Sequence, residues 1–225
     1  MPRHSEDRPY QEKGGRLATE RDEFERAAWR VMVAATVEPE RLVFVDECGT
    51  HTSLAPIYGY ALRGERLRLA VPRKRGKNTT LLSSMSVEGM GPSLRVEGAT
   101  TALVFEAYVE QVLMPSLCPG QILVMDNLGA HRPKRVRELI EGRGCELVYL
   151  PAYSPDYNPI EEAFAKIKNI LRKAATRTKK ALVEAIGAAL SAISAQDARG
   201  FFEHAGYRPT GHLLSNTLSL LVRVA

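Results

Sequence analysis

Two acidic residues each close a run of core-type residues, and a third opens a helix behind a proline-rich loop. Asp46 follows Leu42-Val43-Phe44-Val45, and Asp126 follows Ile122-Leu123-Val124-Met125. Glu161 comes just after Ser154-Pro155-Asp156-Tyr157-Asn158-Pro159. Apolar runs that end in an acid place it at the carboxyl edge of a sheet, where α/β proteins build their sites. Two such acids and a third on a neighbouring helix repel one another unless cations neutralise them. Oxygen donors of this kind suit a pair of magnesium ions and phosphodiester chemistry.

Each acid has a plainer reading. Asp46 precedes Glu47, and strand alternation puts Asp46 on the face of Phe44 and Glu47 on that of Val45. Asp46 is the expected ligand, and Glu47 an outer or solvent-facing neighbour. Asp126 reads either as a ligand or as an acid that only caps a turn, with Asn127 and His131 as polar neighbours able to hold a phosphate or steer it. At the helix start, the apolar stripe of Ile160, Ala163, Phe164, Ile167, Ile170 and Leu171 has a clear centre. Glu161 lies roughly 115° from that centre and Glu162 roughly 145° on the other side. This favours Glu161 at the buried margin and leaves Glu162 as a solvated or supporting residue. Lys166, Lys168, Arg172 and Lys173 continue that helix as a basic run, and Arg73, Lys74, Arg75 and Lys77 form a second one. Such runs are usually solvated faces, and beside a metal-binding helix they also suit a DNA backbone. Tyr149, Tyr153 and Tyr157 are read as packing groups rather than base-stacking ones.

The elements that must position these residues follow from periodicity. Strands are expected at 41–46, Thr79–Val87, Pro92–Glu97, 121–126 and Glu146–Leu150, with Glu88-Gly89-Met90-Gly91 turning the second into the third. Helices are expected over Glu23–Ala35, from Thr100 or Thr101 to Leu117, and over Pro133–Gly142, Pro159–Ala175, Thr178–Ser194 and Ala198–His204. Three strands in an antiparallel meander, then strands alternating with helices in right-handed crossovers, make a mixed five-stranded α/β sheet flanked by helices. That is the order of the ribonuclease H-like fold.

The formal charge of +5 on 225 residues leans towards a polyanionic partner. Cys48, Cys118 and Cys145 form no C-x-x-C pair, which argues against a zinc knuckle or a disulfide framework. No apolar run is long enough for a membrane span, and the polar start lacks a signal-peptide core, so a cytoplasmic location is expected. Residues 1–22 read as a charged, poorly ordered arm, 23–207 as the folded domain and 208–225 as a tail.

The segments Leu42–Glu47, Val124–His131 and Leu150–Glu161 together resemble the DDE endonuclease domain of insertion-sequence transposases, in the bacterial branch of the mariner superfamily. Thirty-four residues separate Asp126 from Glu161, the family's spacing before its third acid, which selects Glu161 over Glu162. The resemblance implies a ribonuclease H-like fold and cut-and-paste DNA transposition. It also implies two Mg²⁺ or Mn²⁺ ions held by Asp46, Asp126 and Glu161, with Asp46 bridging them. Expected partners are double-stranded transposon ends and target DNA, and a second copy of the chain in the active complex. Full-length relatives begin with helix-turn-helix domains, so a separately encoded or frame-fused DNA-binding part is expected. A transposition-incompetent DNA-binding remnant and another ribonuclease H-like nuclease are the alternatives.

Overall fold

A computed structural model describes residues 19, 21–66, 68–71, 78–126 and 134–209. Most of the expected N-terminal arm, the tail from 210 onward, Asn127, His131, and the run Arg73, Lys74, Arg75 and Lys77 lie outside the described residues.

The central strand is β1 (Leu42–Thr50), whose first five residues are all buried. β2 (Thr79–Ser86) and β3 (Gly89–Glu97) complete an antiparallel meander with it, while β4 (Ile122–Met125) and β5 (Glu146–Tyr149) add in parallel on its other side. The resulting order is β3-β2-β1-β4-β5, a mixed five-stranded sheet as the element order predicts. Helices α1 (Glu23–Trp29), α2 (Ala102–Tyr108), α3 (Lys134–Gly142), α4 (Pro159–Ala174), α5 (Lys179–Ser191) and α6 (Ala195–His204) flank it.

Alternation along the strands sorts the core into two layers. Leu42, Phe44, Cys48, Ile122 and Val124 face Ile160, Phe164, Ile167 and Leu171 of α4, with α5 and α6 behind. Val43, Val45, Leu123 and Met125 face Phe105, Tyr108, Val136 and Ile140. Phe44 meets Phe202 edge-on at 5.3 Å and Tyr207 at 5.1 Å, so the end of the fold packs directly on the central strand. No helix among the described residues is long and apolar enough to cross a membrane.

Several elements differ from expectation in detail: β1 runs on to Thr50 instead of stopping at residue 46, and the first helix is regular only to Trp29 before a π-type turn over Arg30–Ala34. The expected helix to Leu117 is regular only over α2, capped by Thr101. It then widens into a π-type turn at Val109–Leu113 and tightens into a 3₁₀ turn at Met114–Ser116. Pro115 has no N–H to donate to the Gln111 carbonyl, so an α-helical ladder cannot run unbroken to Leu117. The β2–β3 turn is also tighter than the expected four residues: Ser86 already pairs with Gly89, leaving only Val87 and Glu88 in the turn. Gly91 therefore lies within β3, opposite an irregularity between Ser83 and Met85. A side-chain carbon there would meet the Ser84 Oγ at 2.3 Å.

Gly91→Ala is expected to cost about 1–3 kcal/mol through overpacking against buried Ser84. Adding Ser84→Ala should restore most of the loss in a urea melt. Equal stability of Gly91→Ala and the parent, or no recovery in the double variant, would contradict this account of the bulge.

Candidate active site

The geometry of the site starts from one register. β1 and β4 run parallel, pairing Phe44 with Val124 and Val45 with Met125. Asp46 and Asp126 are the next residues, side by side about 4.8 Å apart. Asp126 lies just past the end of β4, whereas β1 runs on to Thr50, so Asp46 sits inside the strand, still paired with Ser83 of β2, and not at the expected strand end. Both project to the α4 side, the side of Phe44 and Val124. Asp46 is 6% exposed although ionisable, and its carboxylate is held from two directions. The Glu47 backbone N–H donates to Oδ1 at 2.6 Å, and the Asn158 amide donates to Oδ2 at 2.7 Å. A buried carboxylate needs such donors to stay ionised.

The third acid arrives through the loop between β5 and α4. The Leu150 N–H donates to the Met125 carbonyl at 2.8 Å, tying the loop's start to the end of β4. Pro155–Tyr157 then make one 3₁₀ turn, and Pro159 sits at the start of α4, where its missing N–H is no loss. Asp46, Asp126 and Glu161 all line one cleft of about 370 Å³, with residues 150–155 and Asn158 completing its lining. Glu161 is exposed and Glu162 half-buried, the reverse of the helical-wheel expectation. The cleft admits solvent, so the residue facing it counts as exposed, whereas Glu162 turns towards α6 and pairs with His204. That partner holds His204 above its ordinary pKa.

Sequence reasoning missed the clamp that fixes this loop. Arg26, on α1, is fully buried and makes a two-pronged pair with Asp156, at 2.9 and 2.6 Å. Its guanidinium also lies 4.3 Å from the centre of the Tyr157 ring. Arg30 donates to the Tyr157 hydroxyl, and Tyr207 donates to the Tyr157 carbonyl while accepting from Trp29. The loop two residues before Asn158 is thus bolted to both ends of the described fold. A lone arginine in an amphipathic helix offers no signal of a partner 130 residues away.

The expected basic track divides. On a 100° wheel, Glu161, Lys168 and Arg172 fall within about 20° of one line. Lys168 lies close to the Cys48 thiol, which burial pushes up to about 11 while the lysine works the other way. Lys166 is instead paired with Asp197 of α6 at 2.6 Å, and Lys173 is exposed on another side. Glu47 points away from the cleft layer, with one carboxylate oxygen buried and without a hydrogen-bond partner.

Three carboxylates around one cleft form the hard oxygen donor set that magnesium or manganese takes. Among the described residues, no three His, Cys, Asp or Glu side chains stand close enough to be a ready-made metal cage. The acids share a wall of the cleft rather than a closed shell.

The Arg26–Asp156 pair predicts a pH signature. Hydrogen bonding from Arg26 holds the Asp156 carboxyl below its ordinary value. Its contribution is therefore present above the usual carboxylate range and is lost as pH falls through the lowered pKa. Asp156→Asn should destabilise by about 1–2 kcal/mol at neutral pH, the half-exposed carboxylate being partly screened by solvent. The gap should close in urea melts at acid pH. A gap that persists unchanged would show that the ion pair is not its source.

Comparisons with known proteins agree with this geometry. The family model of the DDE superfamily endonuclease matches residues 41–183, well over half of the chain. Among curated proteins, none matches by sequence. The pre-cleavage Mos1 transpososome superposes with a TM-score of 0.73 at 17% identity, over 89% of this chain and 65% of the Mos1 chain. This chain therefore spans about two-thirds of that transposase's length. The Mos1 mariner paired-end complex with Mn gives 0.68 at 18% identity, over 88% and 64%. The isolated catalytic domain of Mos1 mariner transposase gives 0.60 at 15% identity, over 85% of this chain and 91% of that one. The sheet order shared with these structures is the ribonuclease H-like fold. From the family match across Asp46, Asp126 and Glu161, the chain belongs to the DDE superfamily endonucleases.

Proposed function

We propose that this chain is the catalytic domain of a cut-and-paste DNA transposase, cleaving and joining DNA phosphodiester bonds at a two-metal site. The observation that carries the reading is the shared cleft of Asp46, Asp126 and Glu161. Solved relatives of the same fold include Mos1 with a transposon end, in a strand-transfer complex, and with Mn or Mg. In this reading 23–207 is the catalytic domain, 1–22 an arm and 208–225 a tail. Double-stranded transposon ends and target DNA are its substrates, and a second copy completes the working complex.

Asp46, Asp126 and Glu161 would hold magnesium or manganese, which supplies charge neutralisation at the scissile phosphate and an acidified water or 3′-hydroxyl. The chain's own work is positional. Asn158 and the Glu47 N–H keep the Asp46 carboxylate aimed into the cleft. The Arg26 clamp fixes the loop that delivers Asn158 and Glu161. Lys168 and Arg172, in line with Glu161 along α4, offer cations to a DNA backbone running away from the site.

Asp126→Asn should keep the circular dichroism and melting temperature of the parent and lose Mg²⁺-dependent nicking of supercoiled plasmid by at least ~100-fold. Undiminished nicking in that variant contradicts the assignment. Cleavage of RNA–DNA hybrids in preference to duplex DNA would move the chain to a ribonuclease of the same fold.

A further inference from the structure

Tyr153 is an unusual residue to find where it is. Its φ is +53°, in the left-handed region that bulky side chains avoid. The other non-glycine residue with positive φ among those described is Ala175, which terminates α4 as a left-handed cap. Tyr153 ends no helix. It lies mid-loop, lines the cleft with the three acids, and leaves 57% of its surface exposed. Its two companions in the segment are occupied: Tyr157 is buried under Arg26, and Tyr149 is half-buried beside the Arg137 guanidinium.

The loop around it is rigid on both sides. Leu150 is tied to β4, and the buried Ser154 donates to the Ala152 carbonyl at 3.2 Å while its own carbonyl accepts from Tyr157. Asp156 is clamped by Arg26. A strained backbone inside a well-fixed loop, presenting a large ring to the mouth of a cleft, is the arrangement expected where strain serves a ligand.

We propose that Tyr153 is a substrate-positioning residue whose ring stacks on an unpaired nucleobase flanking the scissile phosphate. The inference rests on the DNA-cleaving reading above and adds the group that grips the strand. With the phosphate directed to the three carboxylates, the neighbouring base must leave its stack to fit the cleft. An aromatic face at the rim replaces the stacking it gives up. The ring, rather than the hydroxyl, supplies that contact, so the interaction tolerates any base.

The test compares the parent with Tyr153→Phe, Tyr153→Ala and Tyr153→Gly. The probe is a duplex with a single-stranded 3′ overhang carrying one 2-aminopurine. The parent and the Phe variant should quench its fluorescence, and the Ala and Gly variants should not. For Mn²⁺-dependent cleavage of the same overhang duplex, KM should rise roughly 10-fold in Ala and Gly, with kcat moving far less. The Gly variant should melt no lower than the parent, because glycine takes this φ without strain; this separates loss of the ring from loss of the fold. Parent-like quenching and KM in the Gly variant would overturn the proposal, as would a parent that does not quench. A parent that quenches through Tyr153 but cleaves nothing would instead overturn the nuclease reading and leave the stacking contact standing.

Discussion

The whole site depends on the parallel pairing of β1 with β4. Two strands that enter the sheet far apart in sequence run in the same direction and pair as far as Val45 and Met125, so Asp46, midway along β1, and Asp126, just past the end of β4, stand as neighbours. A one-residue slip would send one of the pair to the opposite face of the sheet, against α2 and α3. The register is held by burial: Leu42, Phe44 and Val124 serve one core layer, and Val43, Val45 and Met125 the other. Hydrophobic packing on both faces therefore aims two charges that would otherwise repel.

That repulsion has structural consequences. Asp46 is buried and tolerated because an amide and a backbone N–H donate to it. Glu161 reaches the cleft from a helix whose start is set by proline and by a loop anchored to α1. The anchor brings the first described helix into the function of the site, although it contributes nothing to the cleft wall. Rigidity here is supplied from behind, through a guanidinium fork and a shared tyrosine, while the front remains open to a large ligand.

The strand order, the paired acids and the third acid were legible in the chain because each leaves a local signature. Four-residue apolar runs ending in Asp mark the two neighbouring strands, although β1 runs on past Asp46 to Thr50, and the stripe Ile160, Phe164, Ile167 and Leu171 marks the buried face of α4. What stayed hidden depends on contacts between distant segments. Asn158 reads as a loop residue until it meets Asp46, and Arg26 as a surface charge until Asp156 arrives. Lys166 reads as part of a DNA track until Asp197 of α6 occupies it. The choice of Glu161 came through spacing, whereas its expected exposure came out reversed, since a wheel knows which face packs but not that an open cleft borders it. Tyr153 reads with its neighbours as packing, because aromatic residue type says nothing about backbone sign.

The site works only if the three acids act as one set of metal ligands. Crystals of the protein soaked in Mn²⁺, with data collected at the manganese edge, test this most directly. Anomalous peaks about 2.1 Å from carboxylate oxygens of Asp46 together with Asp126 or Glu161 are predicted. Saturating Mn²⁺ that yields no peak in the cleft, or peaks only at other surfaces, would contradict it.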